Sequence, residues 1–384
     1  MLLVNILSNL YSSLDNFQRA KLMDYLPDVT AADITRYPLF FCHHLHRAFR
    51  ANDVLDVNAF EIRGIEDSQR GLYPFTAMMN ASCCPNTQNS IDSDWICSVR
   101  AVRKILKGEE ITDTYVSTMA NTLYRRKQLK ALKYFDCDCK RCADPTELGS
   151  HFSTLLCRIK NCGGFVLCRH PLVSSSAWAC LKCGAEIDGE QVKIEHLSTF
   201  FFATFEQVRI EQEQWEERVE AAPRQVVDQE KLLTRLKQLF HPNHNLCMDV
   251  MFNLTPLYGV RGGKAEDLVA EAEKKEKMCS ALLSTMEQVI PGGFRMRGML
   301  LVELHTTKLF LLRTKLETKQ SSKSQFVRNV ASLRAPLVEA VKILSLEPPG
   351  SLESARLVHA EKYLAQVESI VENAGKTLLP ANGE

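Results

Sequence analysis

The stretch FDCDCKRC sets Cys137, Cys139 and Cys142 in one short segment, close enough to share a metal. The chain has 14 cysteines, of which eleven lie between Cys83 and Cys183. No apolar run reaches the length of a membrane span. The N-terminal MLLVNILSNLYSSLDNF lacks a basic n-region and a small-residue cleavage site and reads as an amphipathic helix. An intracellular home, cytoplasmic or nuclear, and reduced thiols are therefore expected. Cysteines bunched at short spacings in that setting bind zinc more often than they form disulfides. A structural zinc takes four thiolate or imidazole ligands in a tetrahedron. C-x-C-x2-C supplies three of them. The fourth must come from a distant segment, and NASCCPNT offers Cys83 or Cys84 in front of a Pro-Asn turn.

A second group follows in CRIKNCGGFVLC and WACLKCG, giving Cys157-x4-Cys162 and Cys180-x2-Cys183. Two knuckles around a hairpin-length spacer predict a zinc ribbon. Gly163, Gly164 and Gly184 stand where knuckle turns need positive φ. Cys168 reads as a small apolar core residue. Four thiolates leave no open coordination position, so both of the expected zinc ions are structural.

At 384 residues the chain suggests two or three domains, and at 45% hydrophobic it can bury a sizeable core. A formal net charge of +1 provides no global field toward nucleic acid or acidic lipid. The texture is α+β and changes along the chain. Residues 1–55 read as helices. SSLDNFQRAKLMDYL has a helical period with Ser13 or Asp15 as cap, and His43, His44 and His46 fit one apolar helix face better than a metal site. Residues 56–145 carry short apolar or β-branched runs, AFEIRG, WICSVRAVRKI and ITDTYV, with VRKILKGEEITDTY expected as strand, Lys-Gly turn and strand. Residues 146–190 hold the ribbon. Residues 191–384 are all-α, from LSTFFFATFEQVRIEQEQWEERVEAA through RQVVDQEKLLTRLKQLF and EDLVAEAEKKEKMCSALLSTMEQVI to MRGMLLVELHTTKLFLLRTKLE. SQFVRNVASLRAPLVEAVKILSL and SLESARLVHAEKYLAQVESIVENAG complete this run. Breaks are expected at Pro242, Gly262-Gly263 and Pro348-Pro349-Gly350. Helical hairpins of this length suggest a tetratricopeptide-like array that folds apart from the β-rich part.

GLYPFTAMMNASCCPNT, KGEEITDTYV and FDCDCKRC, in that order, resemble the second half of a SET domain. They are similar to its N-H-S-C-x-P-N motif, its G-E-E-[IL]-x-x-x-Y motif and its post-SET C-x-C-x2-C. LFHPNHNLCMDVMFNLTPLYG resembles the C-terminal domain of the SET-and-MYND (SMYD) proteins, and CADPTELGSHFSTLLC resembles their arthropod branch. The resemblance covers most of the chain from about residue 20, a span long enough for a whole domain. It implies an S-adenosylmethionine-dependent protein-lysine methyltransferase. Its partner would be a protein or peptide lysine, histone tails among the candidates, and the chain is expected to be a monomer. Tyr115 matches the tyrosine that orients the amine. Asn80 and Ala81 match the cofactor motif, Phe135 the aromatic of the adenine pocket, and Asn58 a strand position facing the cofactor. Cys83 matches the zinc cysteine of the motif, which leaves Cys84 at its variable position.

Three departures bear on activity. The motif His is replaced by Ala81. The tyrosine expected four residues before the first post-SET cysteine is Lys133, with Tyr134 displaced by one. No G-x-G segment and no MYND module precede VNAFEI, so the chain is expected to begin inside the helical insert of the SET domain. Two charge-assisted hydrogen bonds lost at the carboxylate end of the cofactor, each about 1.5–3 kcal/mol, would weaken its binding roughly a hundredfold. The competing expectation is a catalytically silent, zinc-locked scaffold with a protein-binding helical tail.

Overall fold

The computed structural model describes residues 55–62, 69–189, 192, 218–259 and 264–378. The helices expected over residues 1–54, with the three histidines, lie outside the described residues. So do most of LSTFFFATFEQVRIEQEQWEERVEAA and the Gly262-Gly263 break. Among the described residues no helix is long and apolar enough to cross a membrane.

The chain divides into two compact units, Met1–Met78 and Met79–Glu384. In the first, residues 55–58 are helical. Strands β1 (Ala59–Ile62) and β2 (Gln69–Leu72) pair antiparallel, Ala59 opposite Leu72. Helix α1 (Pro74–Ala77) opens on proline, whose missing N–H is no loss in a first turn. Phe60 meets Tyr73 edge-on at 6.1 Å, and Arg70 pairs with Asp56 at 2.8 Å.

The second unit begins with two small strand pairings. β3 (Asn80–Ala81) runs parallel to β6 (Thr112–Asp113). Between them β4 (Thr87–Ile91) and β5 (Cys97–Ala101) form an antiparallel hairpin. Its turn is built on Asp92, whose carboxylate accepts from the N–H groups of Asp94 at 3.1 Å and Ile96 at 2.9 Å.

The hairpin expected over VRKILKGEEITDTY does not form. The Lys107-Gly108 turn is there, with Gly108 at φ +84° and Glu109 N–H donating to Leu106 carbonyl at 3.0 Å. The flanking backbone bonds elsewhere. Buried Asn86 donates to Glu110 carbonyl at 2.7 Å and accepts from Thr112 N–H at 2.9 Å. One side chain thus takes the hydrogen bonds a second strand would have made, and β6 is delivered to β3 instead.

Helix α2 (Thr122–Lys133) is capped by Asn121, whose side chain accepts from Tyr124 N–H, and ends at Tyr134 in the left-handed conformation, φ 60°. The short α3 (Lys140–Ala143) follows. The ribbon is a four-stranded antiparallel sheet of β7 (Leu155–Leu156), β8 (Phe165–Cys168), β9 (Trp178–Cys180) and β10 (Glu186–Ile187), ordered β10-β9-β8-β7. Gly163 and Gly184 have positive φ as expected, 60° and 71°. Gly164 is glycine for another reason: a Cβ there would stand 2.7 Å from Cys180 Sγ.

The rest is helical: α4 (Arg218–Leu236), α5 (Asn245–Leu254), α6 (Ala265–Val289), α7 (Arg295–Glu317), α8 (Lys323–Ala331), α9 (Arg334–Leu344) and α10 (Leu352–Leu378). The expected breaks at Pro242 and at Pro348-Pro349-Gly350 separate helices. SQFVRNVASLRAPLVEAVKILSL, read as one helix, is two. Pro336 lies in the first turn of α9, where its lack of a donor is harmless, and a helix running through it would lose a bond. α7 packs on α6, α8, α9 and α10.

The helical part does not fold apart from the ribbon. One hydrophobic core joins Phe152, Val166, Trp178 and Cys180 of the ribbon to Leu233, Met248, Leu282 and Leu300 of the helices. The link after α4 also extends the ribbon edge, with Leu156 N–H donating to Leu239 carbonyl at 2.9 Å and His241 N–H to Thr154 carbonyl at 3.0 Å.

The helices hold the β4–β5 hairpin through Gly292 and Arg295. Gly293 N–H donates to Val102 carbonyl at 2.7 Å. Arg295 N–H donates to Gln88 Oε1 at 2.9 Å, and Gln88 Nε2 donates to Glu347 at 2.8 Å. Gly292 sits at φ +104°, and a Cβ there would lie 2.3 Å from Val102 carbonyl oxygen. Gly292→Ala is expected to loosen this seam by about 1–3 kcal/mol. Thermal unfolding and faster proteolysis within residues 102–111 measure the effect, and an unchanged melting temperature contradicts it.

Candidate active site and metal centres

The sulfurs of Cys83, Cys137, Cys139 and Cys142 lie within 4.8 Å of one another. Cys83 Sγ is 3.9 Å from Cys137 Sγ and 3.5 Å from Cys142 Sγ. Four thiolates at about 2.3 Å from one zinc stand about 3.8 Å apart, so the set fits a tetrahedral ion. Contact with Cys137 holds the Cys83 thiol down to about 7. Cys84 lies outside this set: its N–H donates to Ser82 Oγ at 3.1 Å, and burial pushes its thiol up to about 11.

The second set, Cys157, Cys162, Cys180 and Cys183, also lies within 4.8 Å, with Cys157–Cys183 and Cys162–Cys180 each at 3.7 Å. Lys182 N–H donates to Cys180 Sγ at 3.4 Å, as zinc knuckles require, and backbone N–H bonds hold the Cys180 thiol down to about 6. Cys168 stands apart, buried opposite Trp178 in the β8–β9 pairing.

A charged group that sequence reasoning did not find lies under the first set. Arg125, Arg141 and Glu147 are all buried. Arg125 Nη1 and Arg141 Nε donate to Glu147 Oε2 at 2.7 and 3.1 Å. Arg125 Nη2 also donates to Cys142 Sγ at 3.5 Å. Arg141 donates to the carbonyls of Cys83 at 3.1 Å, Thr118 at 2.5 Å and Ala120 at 3.2 Å. A four-thiolate zinc carries two negative charges. The two guanidiniums exceed the single carboxylate by one positive charge, and that surplus offsets one of the two negative charges of a metal-loaded thiolate set. Arginine and glutamate are ordinarily exposed, and nothing in their spacing marked them.

Tyr115 packs against the Cys83, Leu129, Cys137 and Cys142 cluster. Its hydroxyl donates to Met79 carbonyl, one residue before Asn80. Burial and nearby Asp113 push its phenol above the ordinary value, so it stays protonated. Asn80 is exposed on β3 and donates to Glu110 Oε1 at 2.5 Å, and Ala81 follows it in the same strand. Phe135 is two residues before Cys137 and is 36% exposed. Asn58 lies in the first unit, directly before β1. The departure at Lys133 has a structural consequence. Its Nζ stands 5.5 Å over the Tyr115 ring, while Tyr134, turned out by its left-handed backbone, is 78% exposed.

The parallel β3–β6 pair, the loop from Asn80 to Asn86 and the thiolate-fastened segment after α2 define a SET domain. The SET domain family matches residues 11–116. Three relatives extend this. The SET domain-containing protein SmydA-8, isoform A, of Drosophila melanogaster is 41% identical over 143 residues, 36% of this chain and 31% of its own length. The N-lysine methyltransferase SMYD2 of Homo sapiens is 34% identical over 131 residues, 32% of this chain and 30% of its own. The histone-lysine N-methyltransferase ASHR1 of Arabidopsis thaliana is 34% identical over 128 residues, 32% of this chain and 26% of its own. The SET domain match and these relatives support an SMYD-type SET protein, and the Drosophila relative fits an arthropod-type branch. The chain's matches span less than a third of the length of these curated relatives.

Proposed function

We propose that the chain is an S-adenosylmethionine-dependent protein-lysine methyltransferase. The observation that carries this reading is the placement of Tyr115: its hydroxyl is fixed on Met79 beside Asn80, and its ring packs on the cysteine cluster whose member Cys137 stands two residues after Phe135. The names of human SMYD2 and of ASHR1 as lysine methyltransferases support it.

S-adenosylmethionine, when bound, supplies an electrophilic methyl group on a sulfonium sulfur. The residues present suit it. Phe135 offers an exposed aromatic face for a purine, and exposed Asn80 offers an amide for its polar groups. Asn58 is read as a cofactor contact by the resemblance alone. An acceptor lysine must arrive neutral although its ordinary pKa is about 10.4, which calls for apolar walls. The protonated Tyr115 hydroxyl orients that amine, and alignment accounts for most of the help in such a displacement. The two thiolate sets are assigned to structural zinc.

Calorimetry of the purified chain with S-adenosylmethionine, followed by transfer of labelled methyl to a lysine-containing protein mixture, tests the reading. Tyr115→Phe is expected to reduce transfer about a hundredfold or more while leaving cofactor binding and zinc content in place. Ala81, where the family motif has an imidazole, favours the scaffold reading instead. A folded, zinc-loaded chain that neither binds the cofactor nor transfers methyl would establish it.

A further inference from the structure

The two knuckles of the ribbon stand against each other. Cys162 Sγ faces Cys180 Sγ at 3.7 Å, and Cys157 Sγ faces Cys183 Sγ at 3.7 Å. Lys182 Nζ crosses from the second knuckle to donate to Cys162 carbonyl at 2.6 Å. Gly164 admits this close fit, since a Cβ there would also stand 2.7 Å from Lys182 Cβ. Backbone bonds fix both turns. Cys162 N–H donates to Ile159 carbonyl at 3.0 Å, Leu181 N–H to Phe165 carbonyl at 2.9 Å, and Gly184 N–H to Cys180 carbonyl at 3.0 Å.

Each turn presents one aliphatic side chain to solvent: Ile159 is 56% and Leu181 73% exposed. Each is followed directly by an exposed lysine, Lys160 and Lys182. Between Glu147 and Glu186 the sequence has no Asp or Glu, although the chain as a whole is near neutral. Cys162 and Cys180 are buried beneath this surface. Neutralising their thiolates accounts for the lysines but not for the paired aliphatic side chains beside them.

We infer that the paired knuckle end is a docking surface for an acidic peptide segment that carries apolar side chains. Carboxylates of the segment meet Lys160 and Lys182, whose ammonium groups have donors to spare, and its apolar side chains cover Ile159 and Leu181. The fixed turns lose little freedom on binding. A nucleic acid fits less well, because bases stack on aromatic rings and those of the ribbon are engaged. Trp178 is buried in the shared core, and Phe165 packs edge-on against His241 at 4.6 Å. This surface does not depend on the methyltransferase reading.

Peptide selection on the full, zinc-loaded chain tests the inference. A phage library of random linear peptides is depleted on an Ile159→Ser/Leu181→Ser double variant and then selected on wild type. Both substitutions are exposed, so the variant is expected to keep its zinc and its helical signal. Recovered peptides are expected to combine Glu or Asp with Leu, Ile or Phe. By fluorescence anisotropy they should lose about tenfold in affinity or more with Leu181→Ser and with Lys160→Glu, and nothing with Leu352→Ser, an exposed apolar position at the start of α10. Recovery of no peptide, of peptides without acidic residues, or of peptides that bind the double variant as tightly as wild type overturns the inference. So does a labelled single-stranded oligonucleotide that binds wild type more tightly than any recovered peptide and is released by Lys160→Glu.

Discussion

Metal analysis of the reduced protein is expected to return two zinc ions per chain, one for each four-cysteine set. Cys83→Ser should reduce this to one, and Cys84→Ser should leave two. The difference follows from geometry. Cys83 Sγ lies 3.9 and 3.5 Å from Cys137 and Cys142, while Cys84 is outside the set. Structural zinc supplies about 10–16 kcal/mol of binding free energy at neutral pH, most of it expressed as folding. Losing the first ion should therefore release the segment after α2 and with it the support under Tyr115. Thiolate ligands must be deprotonated, so acid should strip zinc as a chelator does. Losing the second ion should reach further, into the helices, because the ribbon and α4–α7 share one core. Two ions retained in Cys83→Ser would show that the first set does not hold zinc through Cys83.

Glu147→Gln should destabilise the chain by about 3–5 kcal/mol, the range for breaking a buried ion pair from one side. The substitution keeps the shape and removes the carboxylate that pairs with both Arg125 and Arg141 in their buried contacts. Wild type should also show an acid transition from this group. Burial alone would raise the Glu147 carboxyl, but Arg125 and Arg141 outweigh it and hold the pKa below the ordinary glutamate value. A carboxyl depressed in the folded state contributes stability that is full above its unfolded pKa of about 4.3 and is lost as pH falls through the folded value. Urea denaturation of both proteins across that acid range measures the effect. The wild-type advantage should shrink as the pH drops. A loss under about 1 kcal/mol at neutral pH would mean that the arginines find their counter-charge elsewhere.

The segments that carried a local signal were legible in the sequence. Cysteine spacing marked Cys137, Cys139 and Cys142 and the four cysteines of the second group as neighbours, because knuckle geometry is a property of a few consecutive residues, while the resemblance singled out Cys83 over Cys84. Helical periodicity placed α6, α7 and α10. The order of NASCCPNT, GEEITDTY and FDCDCKRC was enough to mark a SET domain. What the tertiary structure decided is what depends on partners far apart in the chain. Asn86 turns an expected hairpin into the parallel β3–β6 pair by intercepting backbone bonds that a local reading gives to a neighbouring strand. Pro336 divides an expected helix, and the shared core binds ribbon to helices that periodicity alone treats as separate. Arg125, Arg141 and Glu147 look like surface residues in sequence, since burial of charge becomes favourable only once all three and the thiolates meet. Lys133 was visible only as a departure from a motif. Its place over Tyr115 follows from where α2 ends and from a left-handed Tyr134, and the curled-back side chain of a helix terminus leaves no trace in spacing.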